Sequence, residues 1–157
     1  MWYMPAPVTV SVDVPQRRAD VFAFLDVMAN HESFTDHMLT DWHVSGPPSG
    51  LGSKATVTSK VGGMTDHVEF EVIEVEPGRL IRERNVAAKG KRVGTGTYVL
   101  SDLPGGGTHI EFTYAFERLP AREKPLVPLM RAILRRGNAR AMTRLAEQLN
   151  ASMPAAA

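Results

Sequence analysis

The chain's five histidines, three tyrosines and 35 charged side chains are the groups with which its 157 residues could do chemistry, because it has no cysteine. The missing thiol removes disulfides, thiolate zinc sites and cysteine nucleophiles together, and it suits a reducing compartment. Metal binding would fall to His, Asp and Glu. His31, His37, His43 and His67 show no spacing that places two imidazoles on one helical face, and no third ligand stands in register. No metal and no cofactor is expected.

Tyr98 and Tyr114 are better candidates. They lie in two runs, Gly94 to Leu100 and His109 to Phe116, whose pairing can be read from the residues. If Ser101 opposes His109, then Leu100 faces Ile110, Tyr98 faces Phe112, Gly96 faces Tyr114 and Gly94 faces Phe116, with every large apolar group on one face. The competing register buries Glu111 and His109, at a higher desolvation cost. The glycines leave room for the rings opposite. A phenol on an apolar face needs a hydrogen-bond partner, which a ligand oxygen or a water supplies; the plainer reading of the same rings is packed core. Arg82 and Arg84 share strand parity, with Glu83 on the other face. Turned inward they could clamp a carboxylate or enolate, and turned outward they are solvated; the loop at Val86 to Lys91 leaves that register open. Pro104-Gly105-Gly106-Gly107 is a hairpin turn and not a phosphate loop, since no helix start or lysine follows it.

The elements that must position these groups follow from periodicity. Val8 to Val12 alternates as a half-buried strand. A helix is predicted from Pro15 or Gln16, with Val21, Phe22, Phe24, Leu25 and Met28 recurring at helical spacing, and ends at Asn30 or His31; a short helical turn follows over Glu32 to His37. From Ser53 to Phe116, turn signals at Gly62-Gly63, Pro77-Gly78, Ala88-Lys89-Gly90 and Pro104 to Gly107 divide successive strands of an antiparallel meander. Val68, Phe70 and Val72 alternate with glutamates and then Ile73 and Val75 switch parity, which predicts a bulge near Val72-Ile73. After Pro120 the period becomes 3.6. Leu126, Met130, Ile133, Leu134, Gly137, Ala141, Leu145 and Leu149 mark a long amphipathic helix from Pro125 or Pro128, and Ala155 to Ala157 reads as a frayed tail. The fold class is α+β: a curved antiparallel sheet of about seven strands around a long C-terminal helix, with two short helices near the N-terminus and room for a pocket between sheet and helix.

With 43% hydrophobic and 22% charged residues, the chain fits one domain with one core and excludes a disordered or fibrous protein. The start lacks a basic segment followed by an apolar run, and no apolar stretch approaches the roughly 20 residues that span a bilayer, so a soluble, cytoplasmic protein is expected. The net charge of +1 conceals an asymmetry. Residues 1–117 carry 10 basic and 15 acidic side chains, whereas residues 118–157 carry 8 and 2. Arg131 and Arg135 flank one side of the last helix's apolar stripe, and Arg136, Arg140 and Arg144 the other. These flanks are either a solvated face paired with the acidic sheet or a docking face for an anionic membrane. Nucleic acid is not an expected partner, since basic and aromatic residues do not interleave on an open surface.

Taken together, these segments resemble the polyketide cyclase/dehydrase-like group of the SRPBCC superfamily, with its START-type helix-grip fold. The resemblance runs from Val8 to Leu149. It is carried by the opening strand into Val14 to Asp26, the Asn30-His31-x-x-Phe34 turn, Gly50-x-Gly52, Val75-Glu76-Pro77-Gly78-Arg79, and Gly96 to Leu100 leading through a glycine turn to Gly107 to Ile110. It implies that a lipid, polyketide or isoprenoid-like molecule is held between sheet and helix, by a carrier or sensor. The alternative it implies is a cyclase or dehydratase in which Tyr98 or Tyr114 donates a proton and Arg82 or Arg84 stabilises an oxyanion. Phe34 and His37 would then stand at the cavity mouth. The expected ligand-binding residues are Phe34, His37, Phe70, Tyr98, Phe112, Tyr114, Met130 and Leu134; the expected partner is the apolar small molecule, with transient anionic membrane contact through the last helix and no oligomeric state specified.

Overall fold

The computed structural model describes residues 4–61 and 63–154; the Ala155 to Ala157 tail and Gly62 of the Gly62-Gly63 turn lie outside the described residues. Seven strands, β1 (Val8–Val14), β2 (Leu39–Ser45), β3 (Lys54–Val61), β4 (Met64–Glu76), β5 (Leu80–Ala87), β6 (Arg92–Asp102) and β7 (Thr108–Arg118), form one sheet in the order β1-β7-β6-β5-β4-β3-β2. All pairs are antiparallel. Strands β2 to β7 are a meander, and β1 joins its far edge on β7. The helices are α1 (Arg18–Asp26), α2 (Glu32–Thr35) and α3 (Val127–Ser152), with 3-10 turns at Met28–His31, Ala88–Gly90 and Ala121–Leu126. The curved sheet grips α3, the helix-grip arrangement.

The β6/β7 register is the one the apolar pattern requires: Ser101 faces His109, Tyr98 faces Phe112 and Gly94 faces Phe116. The β4 parity change is also a real bulge. Pairing with β5 slips between Val72 and Glu74, and Ile73, the extra residue, is 42% exposed. Three helix boundaries differ from expectation. Helix α1 begins at Arg18 because Gln16 is engaged elsewhere: its side-chain amide donates to Asn150 Oδ1 (2.8 Å) and the Met153 carbonyl (2.9 Å), and its carbonyl accepts from Thr108 Oγ1 (2.8 Å). It stops at Asp26, since Val27 is extended and bridges to Ser49, before the 3-10 turn resumes at Met28. Helix α2 ends at Thr35, two residues earlier than His37.

Helix α3 is buried unevenly. Leu145 and Leu149 in its second half are fully enclosed, against a core that includes Val14, Val21, Leu25, Leu100 and Ile110. Of the expected stripe, Leu126 precedes the helix and is 46% exposed, while Met130, Ile133 and Leu134 are only partly buried. Under that looser half the structure leaves a cavity.

Candidate functional site

The cavity, about 220 Å³, lies between the concave face of the sheet and the first half of α3. Its floor is laid by alternation along the strands: Val68 and Phe70 from β4, Glu83, Asn85 and Ala87 from β5, Tyr98 from β6, and Phe112, Tyr114 and Phe116 from β7. Met130, Leu134, Asn138, Ala141 and Met142 of α3 form the roof, and His31, Phe34, Met38 and Trp42 close one side. The rings support one another. Tyr98 and Phe112 lie 4.7 Å apart between centroids, Tyr114 meets Phe116 edge-on at 5.1 Å, and Trp42 stacks on Phe70 at 5.9 Å.

Two glycines make this floor. A Cβ on Gly96 would stand 2.9 Å from the ring of Phe112, and one on Gly94 would stand 2.3 Å from the hydroxyl of Tyr114. Each ring therefore rests on the glycine diagonal to it, Phe112 on Gly96 and Tyr114 on Gly94, and not on the residue directly opposite, which is Tyr98 for Phe112 and Gly96 for Tyr114, because its side chain leans along the strand. Large rings can lie flat on the sheet here and still leave space above them.

The polar groups in the cavity are few. Glu83 is 5% exposed, its Oε2 has no hydrogen-bond partner, and no salt bridge reaches it among the described residues. Desolvation pushes its pKa up to about 7. Asn85 Oδ1, two residues along the same face, is also without a partner. Burial first, and then the charge of Glu83, holds the Tyr98 phenol well above its usual range. Tyr114 is pushed up to about 12 by burial, with Arg92 opposing and Glu117 and Glu123 adding. His31 is buried and donates from Nε2 to the Leu25 carbonyl (2.7 Å); burial lowers its pKa, outweighing that bond and the charge of Asp26, so its ring is neutral and Nδ1 is an acceptor. Arg92, also on the lining, makes a two-pronged bridge to Glu123 (2.7 and 2.6 Å) and a third bond to Asp66 (3.0 Å). Among the described residues, no three His, Asp or Glu side chains cluster as metal ligands.

Of the eight residues singled out from the sequence, Phe34, Phe70, Tyr98, Phe112, Tyr114, Met130 and Leu134 come together around the cavity. His37 does not line it. Its Nε2 donates to the Gly137 carbonyl (2.9 Å) and its Nδ1 accepts from Arg144 (3.0 Å), so it ties the end of α2 to α3. Arg82 and Arg84 face away: Arg82 bonds Glu74 and Thr97 on the convex side, and Arg84 is exposed. Neither can reach an oxyanion in the cavity. Glu83 takes the inward position instead, and sequence reasoning passed over it. The signal was the hairpin at Pro77-Gly78, in which Ile81 pairs with Val75 inside, which puts Glu83 on the same face.

Residues 5–153 match the family described as polyketide cyclase/dehydrase and lipid transport. The fold is similar to that of TTHA0849 from Thermus thermophilus, at a TM-score of 0.73 and 16% identity over 94% of this chain and 99% of that one. It is also similar to the Zhui aromatase/cyclase from Streptomyces sp. R1128, at 0.77 and 13% over 95% and 96%, and to Ms6760 from Mycobacterium smegmatis, at 0.64 and 14% over 91% and 90%. No curated protein matches the chain.

Proposed function

The chain belongs to the polyketide cyclase/dehydrase and lipid transport family, and from that premise we propose that it takes up a hydrophobic small molecule, a lipid, polyketide or isoprenoid, in the cavity under α3, as carrier or sensor. The observation that carries this reading is the contrast along α3. Its second half is packed to full burial, while Met130 and Leu134 in its first half roof about 220 Å³ of space walled by rings and methionines. A pocket mostly apolar with a few polar groups is the usual form of a small-molecule site, and thioethers adapt to varied shapes. Native mass spectrometry and solvent extraction after incubation with lipids and polyketides test it. One equivalent of an apolar compound is expected on the parent, and none on Leu134→Trp, which fills the space. Absence of uptake by the parent overturns the reading.

Catalysis in the same cavity, as a cyclase or dehydratase, is favoured by one observation: a carboxyl with a pKa near 7 can take and return a proton near neutrality. The tyrosines fit that work poorly, since burial makes both weaker acids. Elimination of water from an aryl β-hydroxyketone, lost in Glu83→Gln, is the result this second reading requires. Ligand exchange at an anionic membrane extends the carrier reading. Leu126 and Leu129 are 46% and 60% exposed at the entry to α3, beside exposed Arg122, Arg135 and Arg136. Flotation with phosphatidylglycerol vesicles but not with phosphatidylcholine vesicles is expected; equal behaviour on both removes the extension. Among the described residues no helix is long and apolar enough to cross a membrane.

A further inference from the structure

We propose that Glu83, with Asn85 beside it on β5, is a subsite for a protonated amine carried at one end of the apolar ligand, an inference that rests on the cavity-binding reading above. The argument begins with the charges that line the cavity. Arg92 is its cation, and all three of its bonds go to carboxylates: two to Glu123 and one to Asp66. His31 is neutral, with one ring nitrogen spent on the Leu25 carbonyl. Among the described residues Glu83 is therefore left without a counter-charge or a donor, although buried carboxylates are ordinarily paired.

The surroundings match a cation better than any other head group. On the sheet, Glu83 faces Gly96 and Asn85 faces Gly94, positions with no side chain, so both groups look up past the rings of Phe112 and Tyr114. An ammonium has three N–H donors and can give to Glu83 and Asn85 at once; a hydroxyl has one. Aromatic rings attract a cation, and those of Tyr98, Phe112 and Tyr114 line this cavity. A carboxylate head would meet Glu83 with no free cation to receive it. Binding also has a defined proton balance. Burial keeps the empty Glu83 carboxyl about half protonated near pH 7, and an ammonium beside it favours the carboxylate, so uptake of R–NH3+ releases to solvent the proton carried by about half of the molecules.

Isothermal titration calorimetry of the whole protein with four compounds on one body tests this: 1-ethylnaphthalene, 1-naphthylmethylamine, 1-naphthalenemethanol and 1-naphthoic acid. At pH 7 the amine is expected to bind at least ten-fold more tightly than the alcohol, and the acid most weakly. Titration in two buffers of different ionisation enthalpy should show proton release with the amine and none with the alcohol. In Glu83→Gln, the ratio of amine to alcohol affinity should fall at least ten-fold, and Asn85→Leu should lower it in the same direction should the first variant not fold. An amine no tighter than the alcohol, or a ratio unmoved by either variant, overturns the amine subsite while binding of ethylnaphthalene upholds the cavity. If none of the four binds, the cavity reading fails and the subsite falls with it.

Discussion

Glu83 costs the empty protein stability, and the cost depends on pH in a direction that can be worked out. An acid whose pKa rises on folding, here from 4.5 to about 7, keeps its proton in the folded state when the unfolded chain gives it up. Stability is then lost as pH rises through that window, by about 3 kcal/mol in all at about 1.4 kcal/mol per unit. His31 works oppositely: its pKa is lowered from 6.5, so stability is lost as pH falls below that value. Comparing Glu83→Gln with the parent cancels the histidine. We expect the variant's advantage in urea unfolding to grow by about 2 to 3 kcal/mol between pH 4.5 and pH 8; a constant difference would mean Glu83 is not desolvated in solution. A second prediction concerns Gly94. A methyl there would meet the Tyr114 hydroxyl at 2.3 Å and the Ala115 carbonyl oxygen at 2.9 Å, so Gly94→Ala should cost about 1 to 3 kcal/mol by overpacking. It should also weaken ligand uptake, because Tyr114, pushed off Gly94, lines the cavity. Tm and binding on the same sample check both. Tyr98 and Tyr114 were legible because the β6/β7 pattern has one sensible register. Glu83 was not, because a charged residue between two arginines reads as surface until the pairing of Ile81 with Val75 is known.

Helix α3 is one element with two duties. Leu145 is fully buried in packed core, so Leu145→Ala should cost about 2 to 5 kcal/mol through the cavity it leaves. Leu134 is half-buried over space that is already open, so Leu134→Ala should cost under half as much in chemical denaturation while changing ligand affinity more. Equal costs at both positions would argue that the first half of the helix is packed too. The single stripe read from the sequence could not make this distinction, since a leucine over a cavity and a leucine over a core have the same period. The β4 bulge, by contrast, was visible as a change of parity at Ile73. The start of α1 was hidden because its displacement from Pro15 or Gln16 to Arg18 comes from bonds between Gln16 and residues more than 130 positions away. Long-range demands of that kind override a local start signal.

Across the whole molecule, the charge asymmetry seen in composition survives folding. Several of the sheet's acidic residues find partners within the sheet, as in Arg82 with Glu74 and Lys54 with Glu71, while Arg135, Arg136 and Arg140 on α3 stay exposed. Arg144 is an exception, bonded to Asp36, His37 and the Ser33 carbonyl. The expected pairing of a basic helix with an acidic sheet is thus mostly absent, because pairs such as Lys54 with Glu71 and Arg82 with Glu74 neutralise charge across adjacent strands. The two anchors of α3 also differ in kind. Its far end is clamped by Gln16 and by a dry core, whereas its near half is held by polar contacts: the Arg92 to Glu123 bridge just ahead of the first turn, Arg131 to the Ala6 and Pro7 carbonyls, and His37 to the Gly137 carbonyl. A 26-residue helix is about 39 Å long, so it has the mechanics of a cantilever fixed at one end and latched at the other. Rotation by about 5° at the fixed end carries the latched end roughly 3 Å, about the thickness of an aromatic ring. Amide hydrogen exchange should accordingly be faster over residues 130–137 than over 141–149, and Glu123→Gln should widen that gap; uniform exchange along α3 would show that the beam does not pivot.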